Sequence, residues 1–203
     1  MKITRNQFLK LIPTAALTLT GCGRKAQPAN TESLVFSHHY KLDYAQQFTA
    51  DCYEGGYTML TIAESDARFL VVPEDAAEVD GLPADVPVLR QPVENIYLVS
   101  TSVMDLLLHL DALDSVAFSG TKAEGWYLPE VKQAMEEGKI AYAGKYSAPD
   151  YEQILAAGCR LAIENTMILH TPEVKEQLEH FGIPVLVERS SYESGPLARM
   201  EWI

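Results

Sequence analysis

From residue 95 onward the chain alternates short, almost wholly apolar runs with longer stretches in which apolar residues recur every three or four positions. The short runs, at 96–100, 116–119, 140–142, 161–164 and 185–188, predict strands covered on both faces. Four helices are expected between them. The first has Ser102 and Asp105 in capping-box spacing, with Asp for the usual Glu, and carries Leu106, Leu107 and Leu110 on one side. The second starts at Pro129 and stops at Gly138, and the third starts at Pro149 and stops at Gly158. The fourth has Thr171 as N-cap, Pro172 at its first position and Gly182 past its end. This alternation predicts an α/β fold, a mainly parallel sheet with helices on both faces, because right-handed crossovers allow little else. Upstream, 57–62 and 68–72, joined across Glu64-Ser65-Asp66, predict a β-hairpin preceding that region.

The N-terminus follows a different pattern. Lys2, Arg5 and Lys10 bracket an apolar run over 8–19 that ends in Leu19-Thr20-Gly21-Cys22. Charge, a short apolar run, small residues and a cysteine in that order predict a lipoprotein signal peptide over 1–21, with Cys22 as the lipid attachment site. Residues 22–33 hold little that is apolar and read as a tether, so folding is expected to begin near Leu34. The folded α/β unit is then expected over 34–195, outside the cytoplasm and held to the membrane by its N-terminal lipid. Among the 203 residues, 47% are hydrophobic and 22% charged, which suits one globular domain of ordinary size. The formal charge of -12 becomes -15 once three basic and no acidic leader residues are removed, and such a surface argues against nucleic acid, whose phosphates need Lys and Arg. Beyond Cys22, only Cys52 and Cys159 remain, as free thiols or one bridge.

In sheets of this kind ligands bind outside the carboxyl ends of the strands, so the loops after each strand carry the candidate site. After the first come Thr101 and Ser102, at a helix N-terminus that favours an anion. After the second come Lys122, Trp126 and Tyr127; after the third, Lys145 and Tyr146; after the fourth, Asn165 and Met167; after the fifth, Arg189 and Tyr192. Three cations, each with an aromatic nearby, suggest a bulky, partly anionic ligand. Trp126 either caps the core or stacks on that ligand.

Enzymatic signatures are sparse. The chain has no G-x-G-x-x-G, G-x-S-x-G or H-E-x-x-H; Gly120 and Gly125 have nucleotide-loop spacing, but Trp126 follows where a lysine should stand. His38, His39, His109, His170 and His180 read as surface or partly packed residues, so neither a metal nor a cofactor is expected. The competing class is an extracytoplasmic α/β enzyme of hydrolase type with Glu164 or Asp150 in acid–base roles. A third, a structural or adhesive lipoprotein, predicts no ligand cleft.

Several ordered motifs carry a family resemblance: Val99-Ser100-Thr101-Ser102 with Asp105-Leu106-Leu107, then Pro149-Asp150-Tyr151-Glu152-Gln153-Ile154-Leu155, then Gly182-Ile183-Pro184-Val185, and finally Ser190-Ser191-Tyr192-Glu193 with Pro196-Leu197, Arg199 and Glu201-Trp202-Ile203. From about residue 96 to the end the chain resembles the N-terminal lobe of ABC-transporter substrate-binding proteins. The class in question has a long helix between its lobes and captures ferric siderophores, haem or cobalamin. The resemblance implies an ABC permease and ATPase as partners, and a metal chelate or corrinoid as ligand. It also implies that Glu152, near the start of a helix, docks onto permease arginines. Members carry a second lobe after the interlobe helix, so 196–203, from Pro196 through Leu197, Met200 and Ile203, is expected to begin that helix and the chain to be the front half of a longer protein.

Overall fold

A computed structural model describes residues 29–30 and 34–202. Its first region contains strands β1 (Ala29–Asn30), β2 (Phe36–His39), β3 (Phe48–Tyr53), β4 (Thr58–Ile62), β5 (Ala67–Val72), β6 (Val79–Asp80) and β7 (Val88–Arg90). β1 and β6 pair as a short parallel bridge, while the others form a mixed sheet in the order β2-β3-β4-β5-β7. The expected hairpin corresponds to β4 and β5, which pair antiparallel from Thr58 against Val71 to Ile62 against Ala67. The sequence reading missed the remaining strands of that sheet. β2 is exposed along its whole length, and most of β3 is only half-buried, so neither shows a clean apolar alternation.

The second region follows the expected alternation: β8 (Ile96–Leu98), α1 (Thr101–His109), β9 (Val116–Ser119), α2 (Pro129–Glu136), β10 (Ala141–Tyr142), then a two-residue pair β11 (Gly144–Lys145) and β12 (Ala148–Pro149), α3 (Tyr151–Ala156), β13 (Leu161–Glu164), α4 (Pro172–His180), β14 (Val185–Val187) and α5 (Pro196–Met200). The fold is therefore α/β, with a mixed sheet and an all-parallel sheet flanked by helices. The parallel sheet runs β10-β9-β8-β13-β14. Strands are first added on one side of β8 and then on the other, so the direction of winding reverses between β8 and β13.

That reversal sends successive right-handed crossovers to opposite faces. On one face Ile96, Leu98, Val116, Leu161 and Ile163 pack with Met104 of α1, Val131 and Ala134 of α2, and Ile62, Phe69 and Leu89 of the mixed sheet. On the other, Tyr97, Val99, Phe118, Ala162 and Val185 pack with Ile154 of α3 and Val174 and Leu178 of α4. Strands buried on both sides account for the continuous apolar runs. A third, smaller cluster of Tyr57, Leu70, Val72 and Val86 fills the far side of the mixed sheet.

Local chemistry sets the boundaries. Pro129 opens α2, and Gly138 follows its end with φ 75°. Pro172 opens α4, with Thr171 at its N-cap and Gly182 beyond its end at φ 78°. Two expectations fail. α3 begins at Tyr151 rather than Pro149, because Pro149 belongs to β12, and the Asp150 carboxylate caps the helix by accepting the Gln153 N–H at 3.1 Å. The Ser102–Asp105 box is not used: Ser100 stands at the N-cap position without a side-chain cap, and the Ser100 and Ser102 hydroxyls are both engaged elsewhere. On α1 the fully buried residue is Met104, and Leu110 is exposed. On α5 Ala198 faces inward, leaving Leu197 and Met200 exposed, while Trp202 packs edge-on against Phe48 with ring centroids 4.8 Å apart. Cys52 and Cys159 are both free thiols.

Candidate functional site

The loops at the carboxyl ends of β8, β9, β10, β13 and β14 share one edge of the parallel sheet, and the switch between β8 and β13 opens that edge. Beside the first turn of α1, Ser100 and Ser102 both donate hydroxyls to Glu188 Oε1, at 2.6 and 2.7 Å, and the Ser190 N–H donates to Glu188 Oε2 at 2.8 Å. Glu188, the residue after β14, is buried. A carboxylate of the chain itself thus lies beside this helix end, held by hydroxyls and the Ser190 amide, and Thr101 remains exposed next to it. A cavity of about 270 Å³ adjoins this cluster between α1 and α5, lined by Ser102, Asp105, Leu106, Ser190, Pro196, Arg199 and Met200.

The next residue, Arg189, is held on three sides. Its Nε donates to the Gln47 side-chain oxygen at 2.8 Å, its guanidinium lies 4.5 Å from the Tyr192 ring centroid, and the Glu64 carboxylate approaches to 4.0 Å. Its side chain is only 12% exposed, so most of the guanidinium is covered by these neighbours. The Tyr192 hydroxyl lies 3.1 Å from that of Thr166, which joins the loops after β13 and β14. Asn165 accepts the Met167 N–H at 2.9 Å and caps a short 3₁₀ turn, Thr166–His170, on which Met167 is exposed.

Across the sheet Lys122 lies 5.4 Å from the ring centroid of Tyr142, linking the loop after β9 to the end of β10. Tyr127 is 97% exposed, and Lys145 is exposed on β11. Tyr146 is partly buried against the α3/α4 side of the core. Gly144 makes the tight β11–β12 turn possible: at φ 85° an added Cβ would strike the Ala148 carbonyl.

Trp126 takes the first of its two expected roles. It is 4% exposed within the core, and its indole N–H is shared between Ser119 Oγ at 3.1 Å and the Thr121 carbonyl at 3.2 Å. With both faces packed and its donor used, the ring offers no surface for stacking. Glu152 lies exposed in the first turn of α3. Cys22 lies outside the described residues.

Sequence reasoning missed the burial of two carboxyls that end strands, Glu164 and Glu188. The signal was present, since each closes an apolar run expected to be covered on both faces. Glu164 is fully buried, neither oxygen has a partner, and burial pushes its carboxyl up to about 8. It shares its face of the sheet with Tyr97, whose hydroxyl donates to the Gly144 carbonyl at 2.9 Å and is held protonated by burial and then by Glu164. Among the described residues no group of His, Cys, Asp and Glu is arranged to hold a metal, and no helix is long and apolar enough to cross a membrane. No family model, curated protein or solved structure matches the chain.

Proposed function

We propose that this chain is the N-terminal lobe of an extracytoplasmic solute-binding lipoprotein of an ABC importer, tethered through Cys22. In this reading it captures an iron complex or a corrinoid and passes it to a permease and its ATPase. The observation that carries the reading is the chemistry of the carboxyl edge. Exposed Tyr127, Met167 and Tyr192 share it with exposed Lys122 and Lys145 and with Arg189, whose guanidinium lies over the Tyr192 ring. Broad apolar and aromatic surface interspersed with cations suits a bulky anionic chelate better than a small metabolite. The ordered motifs of the resemblance support the same reading, and an exposed Glu152 in a helical first turn is accessible to a permease arginine.

The enzyme reading draws on the raised carboxyl of Glu164, but that group is sealed in the core, and Asp150 is occupied as a helix cap. Our reading is a receptor without catalytic residues. The test is titration of the purified chain with a ferric hydroxamate, a ferric catecholate, haemin and cyanocobalamin, followed by tryptophan fluorescence and thermal shift. One probe is expected to bind, and Arg189→Ala and Tyr192→Ala are each expected to weaken it by about 1–3 kcal/mol. Absence of binding by all four, or binding indifferent to both substitutions, rejects the reading.

A further inference from the structure

The connection between β2 and β3 has an unusual hydrogen-bonding arrangement. Five consecutive backbone N–H groups, those of residues 43–47, donate to two carboxylates near the far end of the sequence. Glu201 accepts Asp43 at 2.9 Å, Tyr44 at 2.9 Å and Ala45 at 2.6 Å. Glu193 accepts Gln46 at 2.9 and 3.1 Å and Gln47 at 2.9 Å. The Trp202 indole N–H adds a bond of 3.0 Å to Glu193. Successive amides converging on an anion form a nest, and bonds to an ionised acceptor are stronger than neutral ones. Those backbone bonds, led by Ala45, hold the Glu201 carboxyl below its ordinary value.

Gln47 connects this arrangement to the candidate site. Its backbone N–H is held by Glu193, and its side-chain oxygen accepts Arg189 Nε at 2.8 Å. Glu193 itself directly follows Tyr192, the ring beneath that guanidinium. We propose that Glu193 and Glu201 form a carboxylate latch that binds the loop after β14 and helix α5 to the mixed sheet. Through Gln47 the latch makes Glu193 a positioning residue for the Arg189–Tyr192 pair, while Glu201 anchors the adjoining amides of 43–45. Neither touches the ligand; Glu193 fixes the loop that does, and Glu201 fixes the segment that loop is held against. The link to ligand capture rests on the receptor reading, whereas the latch stands or falls on its own.

Residue-resolved amide hydrogen exchange on the full chain tests the latch without any ligand. In the unaltered protein the amides of 43–47 are expected to exchange slowly, like strand amides. Glu201→Gln should speed 43–45 by about tenfold or more, and Glu193→Gln should do the same for 46–47 and shift the Trp202 indole resonance, with the amides of β13 unchanged in both. Glu193→Gln should also move the Arg189 Nε–H resonance. Fast exchange at 43–47 in the unaltered protein overturns the latch whether or not the variants fold. A uniform loss of protection, or none, in the variants overturns it as well. If exchange divides as expected while Arg189 Nε–H stays unmoved, the positioning role is overturned. None of these readouts depends on whether a siderophore or corrinoid binds.

Discussion

Replacing Glu164 with Gln should flatten the dependence of stability on pH. Burial alone raises this carboxyl from 4.5 to about 8, and neither oxygen has a hydrogen-bond partner. The folded protein therefore retains a proton that the unfolded chain releases freely between those values. Stability is greatest, as far as this group is concerned, below pH 4.5; it falls as pH rises and levels off above about 8. Each pH unit costs about 1.4 kcal/mol, so the penalty is about 3 kcal/mol at pH 7 and about 5 kcal/mol at its plateau. A glutamine keeps the shape and cannot ionise. It leaves polar atoms buried, so the readout is the difference in slope rather than the absolute stability. Urea unfolding of both proteins at several pH values from 4.5 to 9 supplies it, because every other titrating group contributes equally to both curves. Glu164→Met, which removes the orphaned polar atoms as well, should be the more stable protein at pH 8. Parallel curves for Glu164→Gln and the unaltered protein would refute the argument and imply a solvated or partnered carboxylate.

Trp126→Ala should cost about 3–5 kcal/mol of stability in urea unfolding, because the ring fills the core and its N–H is bonded twice. A well-folded variant with weakened ligand binding would instead return Trp126 to the recognition edge. Cys22→Ala should release the protein from membranes into the soluble exported fraction, and the unaltered protein should gain the mass of a lipid; absence of both results rejects the anchor. Glu152→Lys should cost the fold about 1 kcal/mol or less through the helix dipole, leave soluble binding intact and sharply reduce permease association in a pull-down. Normal association would leave Glu152 as a helix-stabilising charge alone.

The legibility of the sequence differed between its two regions. Proline at the first position of α2 and α4 and glycine beyond their ends marked both helices because the signals act within one turn of chain. The central parallel strands β8, β9 and β13 were legible because they are buried on both faces, a property that shows directly as composition. β2 and β3 left no such trace: they are exposed or half-buried, and what they pair with decides their conformation. Ser102 failed as a cap for a related reason. Its hydroxyl is drawn to Glu188, 86 positions later, and no local pattern announces a partner so distant. The candidate edge was located by topology alone, yet whether a side chain there faces solvent or core depended on tertiary packing. Tyr127 and Trp126 are neighbours in sequence with opposite fates.

The carboxylate of Glu188 also determines what the edge will refuse. A helix N-terminus at a switch point is a ready receptor for phosphate or sulfate, but here Ser100, Ser102 and the Ser190 amide already hold an anion that cannot diffuse away. A tethered group of this kind competes at an effective concentration of about millimolar or more, so a free inorganic anion at micromolar levels is excluded by simple mass action. The chain thereby supplies its own competitor for small inorganic anions at this point of the edge. What such ions leave uncontested is the wider surface of exposed Tyr127, Met167 and Tyr192 along the same edge.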